Sequence, residues 1–117
     1  MSIPAYEHIG CIASNRLINK EAELKWCFRE TPVNDMDSGW RFLSAIDTDE
    51  YINEVSNMSV CAWNTMVEIE PAILPLLDMP IGTDLILEHV GNKRRFIRQD
   101  DGEEVDIYRY FNHLDKV

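Results

Sequence analysis

A turn-forming triplet that feeds straight into an alternating aromatic run, Asp37-Ser38-Gly39-Trp40-Arg41-Phe42-Leu43, constrains this chain more than any other stretch. Asp and Ser bond their own backbone in turns, and Gly adopts conformations closed to other residues. In the run behind them, Trp40 and Phe42 point one way while Arg41 and Leu43 point the other. Such alternation marks a strand with one buried face. Upstream, Leu24, Trp26 and Phe28 alternate with Lys25, Cys27 and Arg29, which reads as a second strand of the same kind. Between them Glu30-Thr31-Pro32-Val33-Asn34-Asp35 breaks the ladder, since Pro donates no hydrogen bond and Asn and Asp favour turns. Two amphipathic strands across a loop of about eight residues predict an antiparallel pair.

The remaining elements are arranged around that pair. Residues 8–14 form an apolar run ended by Ser14-Asn15, a strand and a turn. Asp47, with Glu50 three residues later, reads as the N-cap of a brief helix. Ser59 to Trp63 is a further strand, so all three tryptophans are expected on strands. Asn64 or Thr65 then caps a helical turn through Glu68. Pro71 to Leu77 is a second short helical segment, with Pro71 at its first position and Pro75 limiting its length. Asp84 to Val90 and Lys93 to Gln99 are strands joined by Gly91-Asn92, a two-residue hairpin signal. From Val105 the pattern suits a strand or a helix, and a terminal helix is the reading adopted. The expected fold class is α+β: a single compact domain over residues 1–117, with a mainly antiparallel sheet of about five strands and short helices. A chain of 117 residues leaves no room for two domains. Its 45% hydrophobic content supports a core without disulfides or metal.

Charge and cysteine usage exclude several function classes. A formal net charge of −10 argues against a nucleic-acid partner, because phosphate binding needs a basic surface. The carboxylate surplus suits a basic protein partner, a cation, or plain solubility. Cys11, Cys27 and Cys61 form no C-x-x-C pair and sit in apolar runs, where a thiol behaves as a small buried hydrophobe. That usage predicts a reducing compartment. The first residues lack the charged and apolar regions of a signal peptide, and no apolar stretch approaches the roughly 20 residues of a membrane helix. A soluble, cytoplasmic protein without a membrane partner is expected.

Candidate chemistry is sparse. Asp35, Asp37, Asp47, Asp49 and Glu50 gather around the central strand, yet a calcium loop begun at Asp35 puts Trp40 where Gly belongs. One begun at Asp47 puts Ile52 there. Ser38 lacks a nucleophile elbow, so its hydroxyl is read as bonding local backbone. Asp37 is likewise read as a turn residue. His8, His89 and His113 show no metal-binding spacing. Lys93-Arg94-Arg95 with Arg98, the only basic cluster, reads as a charged edge strand with Glu88 or Asp84 opposite. No catalytic residue, metal or cofactor is expected. The tryptophans read as core, with Trp40 beside Arg41 as the exception that has the composition of an interface.

Taken in order, Gly10-Cys11-Ile12-Ala13-Ser14-Asn15-Arg16, Phe28-Arg29-Glu30, Asp37-Ser38-Gly39-Trp40-Arg41-Phe42, Asp49-Glu50-Tyr51, Ile73-Leu74-Pro75-Leu76-Leu77 and Pro80-Ile81-Gly82-Thr83 resemble the immunity protein 33 domain family. The family-like core is residues 8–88. The C-terminal hairpin and terminal helix, residues 89–117, lie outside that core, and the tail from Lys93 onward departs from the pattern. The resemblance implies a bacterial cytoplasmic protein that is not an enzyme and neutralises a cognate toxin by binding it. An acidic face would steer such a protein onto a basic toxin domain. The contact is placed at Asp35, Asp37, Trp40, Arg41, Asp47, Asp49 and Glu50. Two alternatives stay open: a small enzyme or ligand-binding domain with a carboxylate/arginine pocket, and a housekeeping interaction module that forms a homodimer.

Overall fold

The computed structural model describes residues 9–106. Seven strands form one mixed sheet: β1 (Gly10–Ser14), β2 (Leu24–Arg29), β3 (Asp37–Ser44), β4 (Met58–Ala62), β5 (Asp84–Val90), β6 (Lys93–Arg98) and β7 (Glu104–Val105). Their order across the sheet is β4-β1-β3-β2-β5-β6-β7. Among the described strands only β1 and β3 pair in parallel. The anticipated antiparallel pair lies at the centre, with Phe28 opposite Arg41 and Cys27 opposite Phe42. The α+β class and the antiparallel bias hold, but the sheet has more strands than about five.

Part of the excess is β7, which comes from the stretch read as a terminal helix. Val105 pairs with Phe96 and packs against the core, so that stretch starts as a strand. From residue 107 onward the expected helix lies outside the described residues. β7 also means that β6 is not the sheet edge, although Arg95 does stand opposite Glu88 as expected.

Two helix starts differ from expectation, and in each a residue is drawn inward, Asp47 in one and Trp63 in the other. Asp47 turns inward, and Thr48 caps α2 (Asp49–Ile52) by accepting from the Tyr51 N–H at 3.2 Å. Similarly, α3 (Trp63–Ile69) starts where β4 ends, so Trp63 is a helix residue and neither Asn64 nor Thr65 caps it. Trp63 N–H donates to the Ile9 carbonyl at 2.8 Å, and its ring enters the core. Pro71 does open a short 3₁₀ segment, Pro71–Leu76.

Alternation gives the sheet two distinct faces. On one, Cys11, Ala13, Trp40, Phe42, Cys27, Leu85, Leu87 and Phe96 join α3, the 3₁₀ segment and Leu17 of α1 (Asn15–Ile18) in a single core. Trp40, Phe42 and Trp63 meet there with ring centroids 5.8 to 6.4 Å apart, a separation at which aromatic pairs attract beyond simple burial. The Trp40 indole N–H reaches the Leu77 carbonyl at 3.1 Å, which satisfies its one donor. On the opposite face Ile12, Arg41 and Phe28 form one row, and Leu43, Trp26, Ile86 and Ile97 the next. No helix among the described residues is long and apolar enough to cross a membrane.

Candidate functional site

The central motif builds a bulge. Gly10 on β1 faces Asp37, but Ile12 faces Arg41, so two steps along β1 match four along β3. Gly39 makes this possible with φ +88°, and a Cβ there would collide with the Glu30 carbonyl oxygen. Because the bulge shortens the strand, Asp37 reaches Arg41. The guanidinium grips the carboxylate with both forks, Nη1–Oδ1 at 2.9 Å and Nη2–Oδ2 at 2.8 Å, while Nε donates to Glu30 Oε2 at 2.6 Å. Asp37 also accepts from Gly39 N–H at 2.8 Å and Val33 N–H at 2.9 Å.

This pair is nearly dry: the side chains of Arg41 and Asp37 are 5% and 8% exposed. The hydrogen bond from Arg41, backed by the Val33 and Gly39 N–H groups, holds the Asp37 carboxyl far below the usual carboxylate range despite its desolvation. The same bond raises the Arg41 pKa still further. Next to it, Arg29 ties the corner to another loop: Nε donates to the Ser38 carbonyl at 2.8 Å and Nη1 to the Met79 carbonyl at 2.6 Å. Arg29 N–H bonds the Thr83 carbonyl, and Gly82 N–H bonds the Arg29 carbonyl. Three pieces of the resemblance, around Arg29, Gly39 and Gly82, therefore meet at one place. Its chemistry is that of a latch. A carboxylate kept ionised with both oxygens engaged is a poor proton acceptor, and Ser38 accepts from Trp40 N–H at 3.1 Å instead of standing free.

At the far end of β3 lies a second buried charge. Asp47 accepts from Ser44 N–H at 2.7 Å and from Arg16 Nη1 at 3.3 Å. Arg16 also donates to the Ile46 carbonyl and lies 3.8 Å from the Tyr51 ring centroid, over its face. The expected contact set is thus divided. Trp40, Arg41 and Asp47 are buried, held by the core, Asp37 and Arg16 respectively. Asp35, Asp49 and Glu50 are exposed, with Asp35 at one end of β3 and the other two beyond its opposite end. With the bulge discounted, β3 separates those ends by roughly 17 Å.

What sequence reasoning missed is a cleft of about 440 Å³ between β1, β4 and the 33–36 loop. Its walls include Ile9, Cys11, Val33, Met36, Val60 and Cys61, with Asp37 at one side. Gly10 N–H donates to the Met36 carbonyl at 2.6 Å, which fixes the loop against β1. Val33, Met36 and Val60 are 74%, 54% and 79% exposed, a strongly apolar cluster for a solvent-facing rim. Among the described residues β4 is the terminal strand of the sheet, and no described strand pairs with the outer side of its backbone. Only the pairing of β1 with β4, distant in sequence, brings these residues together, and no local motif marks them.

Among the described residues no three His, Cys, Asp or Glu side chains are grouped to hold a metal. No curated protein and no solved structure matches the chain. Residues 11–98 match the family model described as the Immunity protein Imm33 domain. The match includes the bulge, nearly all of the cleft, and β6, which the sequence reading left outside the family-like core. It extends over well more than half of the chain, and the protein accordingly belongs to the Imm33 immunity protein domain family.

Proposed function

We propose that the protein confers immunity by binding a cognate toxin directly and without catalysis, and that the contact centres on the cleft between β4 and the 33–36 loop. The observation that carries this reading is the exposed apolar group Val33, Met36 and Val60 around a concave surface. Protein contacts with this anatomy bury an apolar centre inside a polar rim. Asp35 lies in the same loop, and Asp49 and Glu50 add exposed negative charge further along. A chain of net charge −10 draws a basic toxin domain towards it and raises the association rate. Bacterial origin and a cytoplasmic location accord with this role. The carboxylate/arginine pocket of the alternative reading loses its reactive group, since Asp37 and Arg41 saturate one another.

Co-expression with a cognate toxin domain tests the proposal. Met36→Gln with Val60→Thr is expected to abolish protection while the thermal midpoint stays put. Asp35→Asn with Asp49→Asn and Glu50→Gln is expected to slow association and weaken its salt dependence, with a smaller effect on dissociation. Protection undiminished by the cleft variant would place the contact elsewhere. A solution mass of two chains, reverting to one in the same variant, would instead give the cleft to a second copy.

A further inference from the structure

We propose that Cys11 and Cys61 form an oxidisable dithiol at the floor of the cleft, a modification site that closes to an intrachain disulfide on reaction with a low-molecular-weight disulfide. The two residues are direct cross-strand neighbours on β1 and β4, and their sulfurs are 3.7 Å apart. The Ile9–Trp63 hydrogen bond sets the ladder alternation, so Cys11 and Cys61 occupy a hydrogen-bonded position, where facing Cα atoms stand about 5.5 Å apart. That separation lies within the range of disulfides. Both thiols are free, and both residues line the cleft of about 440 Å³.

Their surroundings assign them different parts. Cys61 is the more accessible, and Cys11 is buried. The hydrogen bond from the Cys11 thiol lowers the Cys61 pKa, whereas that bond and burial push Cys11 upward. Cys61 is therefore the attacking thiolate and Cys11 the resolving thiol. Cys61 Sγ attacks one sulfur of the reagent, forms a mixed disulfide and releases the other half, which takes up a proton. Cys11 Sγ then gives its proton to solvent and attacks Cys61 Sγ, and the second half leaves as a thiolate that is protonated in turn. Two protein thiols and one disulfide become one protein disulfide and two small thiols. Cys27 serves as an internal control: it is buried on β2, with β3 between it and β1, it does not line the cleft, and its thiol is pushed up by burial.

The experiment treats the reduced, folded full chain with excess oxidised glutathione, alkylates the remaining thiols and maps the peptides by mass. The expected product has lost two hydrogens, carries no glutathione, joins the Cys11 and Cys61 peptides, and is alkylated at Cys27 alone. Dithiothreitol should restore three alkylatable thiols, and Cys11→Ser should trap glutathione on Cys61. Three alkylatable thiols after treatment, glutathione persisting on wild-type Cys61, or a bond involving Cys27 or a second chain would each overturn the proposal. Should Cys11→Ser fail to fold, the wild-type peptide map decides by itself.

Discussion

The corner at Asp37 and the cleft beside it share a loop, yet they handle side chains in opposite ways. In the corner the charges are fully engaged and the Arg41–Asp37 pair is hidden: Arg41 is held by Asp37 and Glu30, Asp37 by two further N–H groups, and Arg29 by two carbonyls. In the cleft, apolar Val33, Met36 and Val60 face solvent and two thiols face one another. Buried ion pairs contribute little net stability but cost much when one partner is lost, so the corner sets geometry rigidly. Exposed apolar groups cost little to alter, so the cleft is free to suit a partner. The most distinctive stretch of the chain thus builds architecture, and the surface fitted for recognition is made of residues without a motif.

Breaking the corner should produce the largest effect. Gly39→Val forces a β-branched side chain into positive φ and against the Glu30 carbonyl, and should cost about 4 kcal/mol or more in denaturant unfolding. A loss below about 1 kcal/mol would mean that the bulge can rearrange, and the contrast with the cleft would weaken. Arg41→Met comes next at about 3 kcal/mol, because it strands the Asp37 carboxylate. Adding Asp37→Leu should recover part of that loss, as a double-mutant cycle would register, whereas Arg41→Lys should not rescue it, since an ammonium lacks the fork.

The pH dependence sharpens the same point. Asp37 titrates lower in the folded chain than in the unfolded one, so the unfolded chain binds the extra proton. Its stabilisation is fully present above the unfolded carboxylate value, near about pH 4, and is lost progressively as pH falls towards the folded value. Acid titration of unfolding free energy should show this slope, and Asp37→Asn should flatten it. The smallest stability change belongs to the cleft. Met36→Gln with Val60→Thr should stay within about 0.5 kcal/mol per site, while reducing toxin affinity at least about tenfold. A stability loss as large as that of Arg41→Met would erase the distinction between the two regions.

Much of the fold was legible because its signals are local. Period-two alternation located β2 and β3, Gly91-Asn92 located the β5–β6 hairpin, and Pro71 marked the start of the 3₁₀ segment. Where local signals competed with distant partners they misled. Asp47 has the chemistry of an N-cap, but Ser44 and Arg16 recruit it, and Trp63 continues an apolar run yet turns into a helix as its ring enters the core. Trp40 beside Arg41 looked like an interface pair. On a strand those neighbours face opposite sides, one into the aromatic core and the other onto Asp37.

The sequence by itself determined the class of this protein, the positions of its main strands and its family, because periodicity, turn chemistry and the Asp-Ser-Gly-Trp-Arg-Phe order are properties of neighbouring residues. Only the tertiary structure decided what those residues do. Register between strands set Cys11 against Cys61, the bulge at Gly39 folded Asp37 back onto Arg41, and the docking of the 33–36 loop on β1 made the cleft. Each depends on pairing between segments far apart in the chain, and a one-residue slip would send every side chain on a strand to the other face.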